Sequence, residues 1–297
     1  MGRPGICELT VADCLAWGRS VLERNGIAEH RKEVEFLLAD SVGRSPKWIV
    51  LNRHHQLPKC TLEEFRQLVI LRASGTPIQY LIGMTEFFGL EIKVGRGVYI
   101  PKQETELLVE EALKYLGTPQ HSDLTWGMSP NRANVHEVGT GSGAIAISIA
   151  RHAPIVDIMA SDISAFALSL ARENSHRNGV AGQVSFCLGD LQDPLPGVPD
   201  LVVANLPYIR GSEDANLPRV VRAQPRSSLF SNSSGLGHIR RLLKDLKLRP
   251  AGRALLEIGF DQAQRVESLC AGNPRLRYVR TVKDLAGLDR IAVISAS

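Results

Sequence analysis

Val135-His136-Glu137-Val138-Gly139-Thr140-Gly141-Ser142-Gly143 runs directly into Ala144-Ile145-Ala146-Ile147-Ser148-Ile149-Ala150. A short apolar run gives way to alternating glycines, and small and branched residues then recur at helical spacing. The pattern predicts strand, turn and helix in that order. Glycines let the backbone turn tightly and leave room for a ligand to lie against it. The helix behind them offers unpaired N–H groups and the positive end of its dipole. Gly-x-Gly turns occur in many sheets, so the surrounding residues must decide what this one binds.

Moving outward, a second apolar run, Ile155 to Ala160, ends at Ser161-Asp162. Asp162 lies about twenty residues beyond the loop, the spacing at which a second strand delivers a carboxylate to ribose hydroxyls. The competing reading of Asp162 is a cap on the helix that starts near Ser164. Glu137, just before the first glycine, sits badly with a pyrophosphate and well with an ammonium group. A ligand with a ribose, an amino-acid head and no phosphate suits both acids. S-adenosyl-L-methionine (AdoMet) is the expected cofactor.

At 297 residues the chain exceeds one comfortable core, so two domains are expected. With 44% hydrophobic and 22% charged residues and no low-complexity tract, it reads as globular rather than disordered or fibrous. A net charge of +4 is a mild basic bias, compatible with an acidic or ribonucleoprotein partner. The five cysteines, Cys7, Cys14, Cys60, Cys187 and Cys270, are scattered without metal-ligand spacing and read as reduced thiols. No leader pattern and no bilayer-length apolar run stand out, so a cytoplasmic location is expected, with no membrane and no metal.

Residues 1–75 read as a helical domain, with amphipathic stripes through Leu15, Val21 and Leu22, through Val34, Leu37 and Leu38, and through Leu62, Phe65 and Val69. Its natural role is partner recognition, with a purely structural cap as the alternative. His54-His55 reads as exposed loop rather than metal site. Residues 76–100 predict a β-hairpin linker, in which Tyr80 to Gly83, Glu86 to Val94 and Val98 to Ile100 are short β-type runs punctuated by glycine. Residues 101–297 form the remaining domain. A helix opens near Pro101, and a polar loop spans Pro119 to Arg132. Further strands are expected at Val184 to Leu188, Asp200 to Ala204 and Arg253 to Ile258, and two final runs pair antiparallel. Strands alternating with helices imply a doubly wound α/β sheet with ligands at the carboxyl ends of its strands.

The fourth strand of that sheet ends at Asn205-Leu206-Pro207-Tyr208. A planar nitrogen, in an amide or on a base, is a poor nucleophile because its lone pair is delocalised. An enzyme that methylates it must hold the NH₂ with acceptors and aim it at the methyl group. The Asn205 side-chain oxygen and the Leu206 main-chain oxygen can be those acceptors, Pro207 stiffens the turn, and Tyr208 can cover the planar group. An ordinary β-turn is the alternative.

With these motifs in view, the chain resembles the release-factor glutamine methyltransferases over nearly its whole length. The likeness rests on Gly75-Thr76-Pro77-Ile78-Gln79-Tyr80-Leu81-Ile82-Gly83, Glu86-Phe87-Phe88-Gly89-Leu90 and Ile100-Pro101-Lys102-Gln103-Glu104-Thr105-Glu106. It continues in the Glu137-to-Gly143 loop and in Asp284-Leu285-Ala286-Gly287-Leu288-Asp289-Arg290. The resemblance implies a helical N-terminal domain, a β-hairpin and a seven-stranded, Rossmann-like AdoMet-dependent methyltransferase domain. It implies a class I peptide chain release factor as partner, methylated on the glutamine amide of its Gly-Gly-Gln motif, with no direct nucleic-acid binding. Carried over by motif, Gly139, Thr140, Gly141, Ser142 and Gly143 line the cofactor, Asp162 holds the ribose, Leu191 flanks the adenine, and Asn205 to Tyr208 grip the glutamine amide.

The chain departs from the family pattern in places that concern substrate more than cofactor. Leu206 stands for the first proline of Asn-Pro-Pro-Tyr, Lys102-Gln103 for Arg-Pro and Gln224 for Glu. The Ser231-to-Leu236 loop has lost a glycine pair and an acid. Two other readings share the planar-nitrogen chemistry: a glutamine methyltransferase of a ribosomal protein, which shares the linker, and a ribosomal RNA adenine methyltransferase, which shares the literal Asn-Leu-Pro-Tyr.

Overall fold

The helical stripes and apolar runs form two compact units in the computed structural model, which describes residues 9–117, 132–153 and 155–297. The polar loop expected between 119 and 132 lies almost wholly outside the described residues.

The first unit runs to Gly83 and also takes in Pro218–Ala223. Thr10 starts helix α1 (Val11–Arg24) with a capping box, its hydroxyl accepting from the Asp13 N–H and the Asp13 carboxylate accepting from the Thr10 N–H. Helix α2 (His30–Val42) stops at Gly43 in the left-handed conformation, and α3 (Pro46–Leu51) and α4 (Lys59–Ala73) follow. Their apolar stripes meet in one core built on Leu15, Leu22, Val34, Leu37, Phe65 and Val69. Inside that unit Arg72 pairs bidentately with Glu33, at 2.6 and 3.0 Å.

Tyr80 to Gly83, expected as a β-type run, is instead the end of a short helix, α5 (Ile78–Ile82). Pro77 presets its entry, and Gly83, at φ 79°, ends it in the left-handed region. Those boundary residues outweigh the β-branched and aromatic composition.

The second unit opens with a hairpin, β1 (Met84–Phe87) and β2 (Leu90–Lys93), paired antiparallel. Phe88 and Gly89 both have positive φ, as a two-residue turn matched to strand twist requires. Val98 to Ile100 forms no strand. The Ile100 N–H donates to the Gln224 side-chain oxygen instead of to a sheet neighbour. Helix α6 (Gln103–Leu116) then leads to the sheet strands β3 (Ala133–Val138), β4 (Val156–Asp162), β5 (Val184–Leu188), β6 (Leu201–Ala204), β7 (Arg253–Glu257), β8 (Leu276–Lys283) and β9 (Asp289–Ala296). Their order across the seven-stranded sheet is β5-β4-β3-β6-β7-β9-β8, parallel except where β9 meets β7 and β8.

Side chains alternate across a strand, so one sheet makes two buried layers. Val202, Ala204, Ala254, Leu256, Ala292 and Ile294 pack with residues of the helices Gly237–Asp245 and Ala263–Ala271. Val203, Leu255 and Val293, of opposite parity, are equally buried and belong to the other face. The chain leaves β3 toward β4 and β5, then returns to place β6 on the opposite side of β3. That reversal opens a crevice at the carboxyl ends of β3 and β6, where the glycine turn and Asn205 stand.

Candidate functional site

One cavity occupies that crevice. It is lined by Gly139, Thr140, Gly141 and Ser142 after β3, Asp162 after β4, Leu191 after β5, and Asn205, Leu206 and Pro207 after β6. The sheet topology therefore gathers residues that the sequence holds some seventy positions apart.

Gly143 and Tyr208, the remaining expected site residues, are outside that lining. Gly143 is the pivot between the turn and helix α7 (Ala144–His152). It has φ 83°, and a Cβ there would come within 3.0 Å of Ala171 Cβ on helix α8 (Ala165–Arg177). Its role is the close packing of helices behind the loop. Tyr208 is held by its hydroxyl, which donates to Glu257 Oε1 at 3.2 Å. Burial and the nearby Glu257 carboxylate push its phenol pKa well above the ordinary value.

Glu137 also differs from expectation. Rather than offering its charge to a ligand's ammonium group, it is wholly buried and outside the cavity lining. Its Oε2 accepts from the Thr140 hydroxyl at 2.5 Å and from the Ala146 N–H at 3.2 Å, fastening the glycine turn to the first turn of α7. Burial, with a smaller contribution from Asp162, pushes its carboxyl up to about 8. Next to it, burial lowers His136 to about 4, so that side chain stays neutral.

Asp162 is not the cap of α8; Ser164 is, its hydroxyl accepting from the Ala167 N–H. The Asp162 carboxylate takes one N–H on each oxygen, from Gly141 at 2.8 Å and Ser164 at 2.9 Å. A carboxylate has about four acceptor sites, so each oxygen keeps one lone pair for a vicinal diol. Beside it stand exposed Ile163 and half-buried Leu191, the latter held at φ 49° with its carbonyl accepting from the Ser161 hydroxyl. An acceptor pair between apolar walls, facing glycines whose missing side chains leave the turn open, suits a ribose carrying a flat base.

The opposite side of the cavity carries groups to which no role was assigned from the sequence. Thr105, buried in the first turn of α6, accepts from Asn205 Nδ2 at 3.1 Å. His238, at the start of the helix Gly237–Asp245, pairs through Nδ1 with the Ser231 hydroxyl at 3.1 Å, and burial holds its pKa below the ordinary value. Only Thr105 lay in a quoted motif. His238 lies in the stretch Leu236 to Leu248, whose helical pattern the sequence does show but which carries no motif to mark a site residue. Gln224 gives a reason for one departure from the family pattern. Its buried side-chain oxygen accepts from the Ile100 N–H at 3.0 Å, a task that an amide performs without burying a charge.

Among the described residues no group of His, Cys, Asp or Glu is arranged to hold a metal ion, and no helix is long and apolar enough to cross a membrane.

Comparison with known proteins follows the same division of the chain. Residues 13–83 match the family model described as PrmC N-terminal domain, and residues 124–232 match Methyltransferase small domain. The chain is 35% identical to the release factor glutamine methyltransferase of Moorella thermoacetica, covering 95% of this chain and 97% of that one. It is 36% identical to the protein of the same name from Bordetella pertussis, covering 88% and 93%. Among solved structures, the hMettl16 catalytic domain in complex with the MAT2A 3'UTR hairpin 1 superposes with TM-score 0.53 at 15% identity. The alignment covers 87% of this chain and 90% of that one, a likeness of fold.

Proposed function

The chain belongs to the release factor glutamine methyltransferases, and from that premise we propose that its crevice methylates the side-chain amide nitrogen of the glutamine in a release factor's Gly-Gly-Gln motif. It is an AdoMet-dependent protein-glutamine methyltransferase. The observation that carries the assignment of residues is the single cavity joining Gly139–Ser142, Asp162 and Leu191 to Asn205–Pro207.

Bound AdoMet supplies an electrophilic methyl group on a sulfonium. Asp162 would hold the ribose hydroxyls with its two spare lone pairs, Leu191 and Ile163 would flank the adenine, and the Gly139–Ser142 backbone would lie against the rest. Asn205 Oδ1 and the Leu206 carbonyl accept from the two N–H bonds of the substrate amide, which turns the nitrogen's face toward the methyl donor. Leu206 serves here through its carbonyl, so the change from proline leaves that acceptor in place. Binding and orientation bring the reacting atoms together, and fixed dipoles match the charge that develops on the nitrogen.

Incubation of the enzyme with labelled AdoMet and an intact release factor, followed by peptide mapping, tests the reading. The methyl is expected on the glutamine of Gly-Gly-Gln, with naked ribosomal RNA unlabelled. Asn205→Ala is expected to lower transfer by at least roughly a hundredfold while AdoMet affinity changes within a few-fold. A methyl found on a ribosomal protein or on adenine would reassign the substrate, and near-normal turnover by Asn205→Ala would remove the amide clamp.

A further inference from the structure

The Asp284-to-Arg290 motif carries part of the family likeness, yet none of its residues lines the crevice. It forms the turn between β8 and β9. Because β9 runs antiparallel to β7, this turn and the carboxyl end of β7 stand at the same end of the sheet as the crevice. The Ile258 N–H donates to the Arg290 carbonyl at 2.8 Å and holds the two together. Asp284 organises the turn: Oδ1 accepts from the N–H groups of Ala286 and Leu288, each at 2.9 Å, and Oδ2 accepts from Arg290 Nε at 2.8 Å. The Asp284 N–H donates to the Leu288 carbonyl at 2.9 Å, and Gly287, at φ 78°, allows the reversal. Such order costs conformational entropy, and here it holds Leu285 fully in solvent, with Leu288 41% exposed in the same turn.

A second fixed turn follows β7 and leaves Phe260 63% exposed. Gln262 closes it, Oε1 accepting from the Gly259 N–H at 3.0 Å, while its Nε2 donates to the Tyr208 carbonyl at 3.0 Å. Arg210, two residues past Tyr208, pairs with Asp261 beside Phe260. The turn that carries Phe260 is thus fastened to the segment that follows Asn205. One exposed leucine on a surface is ordinary. Three large apolar side chains on two ordered turns, at neighbouring strand ends, make a patch of the kind that marks a docking surface. The charges around it are already spent within the chain: Arg290 on Asp284, Lys283 on Asp289 at 2.5 Å, and Arg210 on Glu213 and Asp261. A nucleic-acid backbone is held by cations free to neutralise phosphates. What this ledge offers instead is apolar contact with protein. A glutamine side chain is short, so the protein that delivers one to Asn205 must lie across these strand ends.

We propose that Phe260, Leu285 and Leu288 form a docking ledge for an apolar surface of the release factor beside its glutamine loop. The inference rests on the function proposed above, in which that glutamine enters the crevice at Asn205. It adds a binding surface that lies outside the crevice and outside the helical unit.

Leu285→Asp on the full chain tests it, because a fully exposed side chain has no packing to lose and the fold is not at stake. Phe260→Ser is measured beside it. Binding of an intact release factor is read by calorimetry with S-adenosylhomocysteine present, and methylation is read as KM and kcat. Each substitution is expected to weaken factor binding and raise KM at least about tenfold, the scale of losing an apolar anchor. The kcat at saturating factor, AdoMet affinity and thermal midpoint are expected to stay close to those of the unsubstituted chain. Leu285→Met, apolar again, is expected to keep the original KM. Unchanged KM in both variants would overturn the proposal, as would a fall in kcat that saturating factor does not repair. A dimer of the unsubstituted chain that Leu285→Asp dissociates would give the ledge to a second copy and overturn it too. If the unsubstituted enzyme methylates the factor's glutamine and both variants match it, the ledge alone is wrong. If the unsubstituted enzyme leaves the factor unmethylated, the proposed substrate and the ledge fall together.

Discussion

At the residue scale, adjacent positions of β3 titrate in opposite senses. Glu137 is pushed up to about 8 from its ordinary 4.5, so it is protonated in the fold over a range where the unfolded chain has released the proton. Stability from this group is therefore fully present below the ordinary value and is lost as pH rises toward the folded one. His136, held near 4, works the other way and loses stability as pH falls through the interval below its ordinary 6.5. Thermal midpoints followed from pH 5 to pH 8 are expected to fall less steeply in Glu137→Gln than in the unsubstituted chain, because the amide carries no such penalty. Parallel curves would show that Glu137 ionises in the fold as it does in water. Asp162 gives a second expectation. Asp162→Ala removes the diol acceptors and also the brace on Gly141 and Ser164. Calorimetry should show AdoMet binding weakened at least about tenfold, on the scale of charge-assisted hydrogen bonds of roughly 1.5–3 kcal/mol each. Unchanged affinity would leave Asp162 with its structural role alone.

At the scale of elements, the turn after β6 is set by what packs behind it. Gly235 has φ 74°, and a Cβ there would stand 2.5 Å from the Tyr208 carbonyl oxygen and 2.7 Å from Gln262 Nε2, which donates to that same oxygen. Gly235→Ala should displace the turn, lowering methyl transfer while AdoMet affinity stays within a few-fold, and cost about 1–3 kcal/mol of stability. Full activity in that variant would mean that the turn tolerates the shift. Leu206 is the contrasting case. Its side chain is buried, and a Cβ on Gly139 would meet its Cδ2 at 3.1 Å. Leu206→Pro keeps the carbonyl and trims the packing. Transfer within a few-fold of the starting value and a midpoint lowered by the equivalent of about 1–3 kcal/mol are expected. Loss of transfer would show that Leu206 contributes more than its carbonyl.

At the scale of the whole molecule, the helical unit takes in Pro218–Ala223 from the far half of the chain as well as everything to Gly83. Within that unit Arg219 lies against Gly75, where a Cβ would meet Arg219 Cβ at 3.3 Å. A chain beginning at Met84 retains the cavity-lining residues but lacks the helices to which Pro218–Ala223 belongs. It is expected to bind AdoMet and to fail with an intact release factor, because a flexible glutamine loop offers little surface of its own for recognition. Full methylation by the shortened chain would take the recognition role away from the helices.

The sequence by itself determined the sheet, its class and the groups at its strand ends, because period, glycine spacing and apolar runs are local properties that a folded chain must respect. It also supplied the Asn-Leu-Pro-Tyr turn after β6, whose residues are contiguous. Only the tertiary structure decided where the side chains point. Glu137 turned inward to fasten the loop, Gly143 became a packing contact, and Ile78–Ile82 followed its proline and glycine boundaries into a helix. Asn205 pairs with Thr105, 100 residues before it, and Tyr208 pairs with Glu257, 49 residues after it. Hydrogen bonding between distant groups leaves no periodic trace in a sequence, since it exists only once folding has brought the donors and acceptors together.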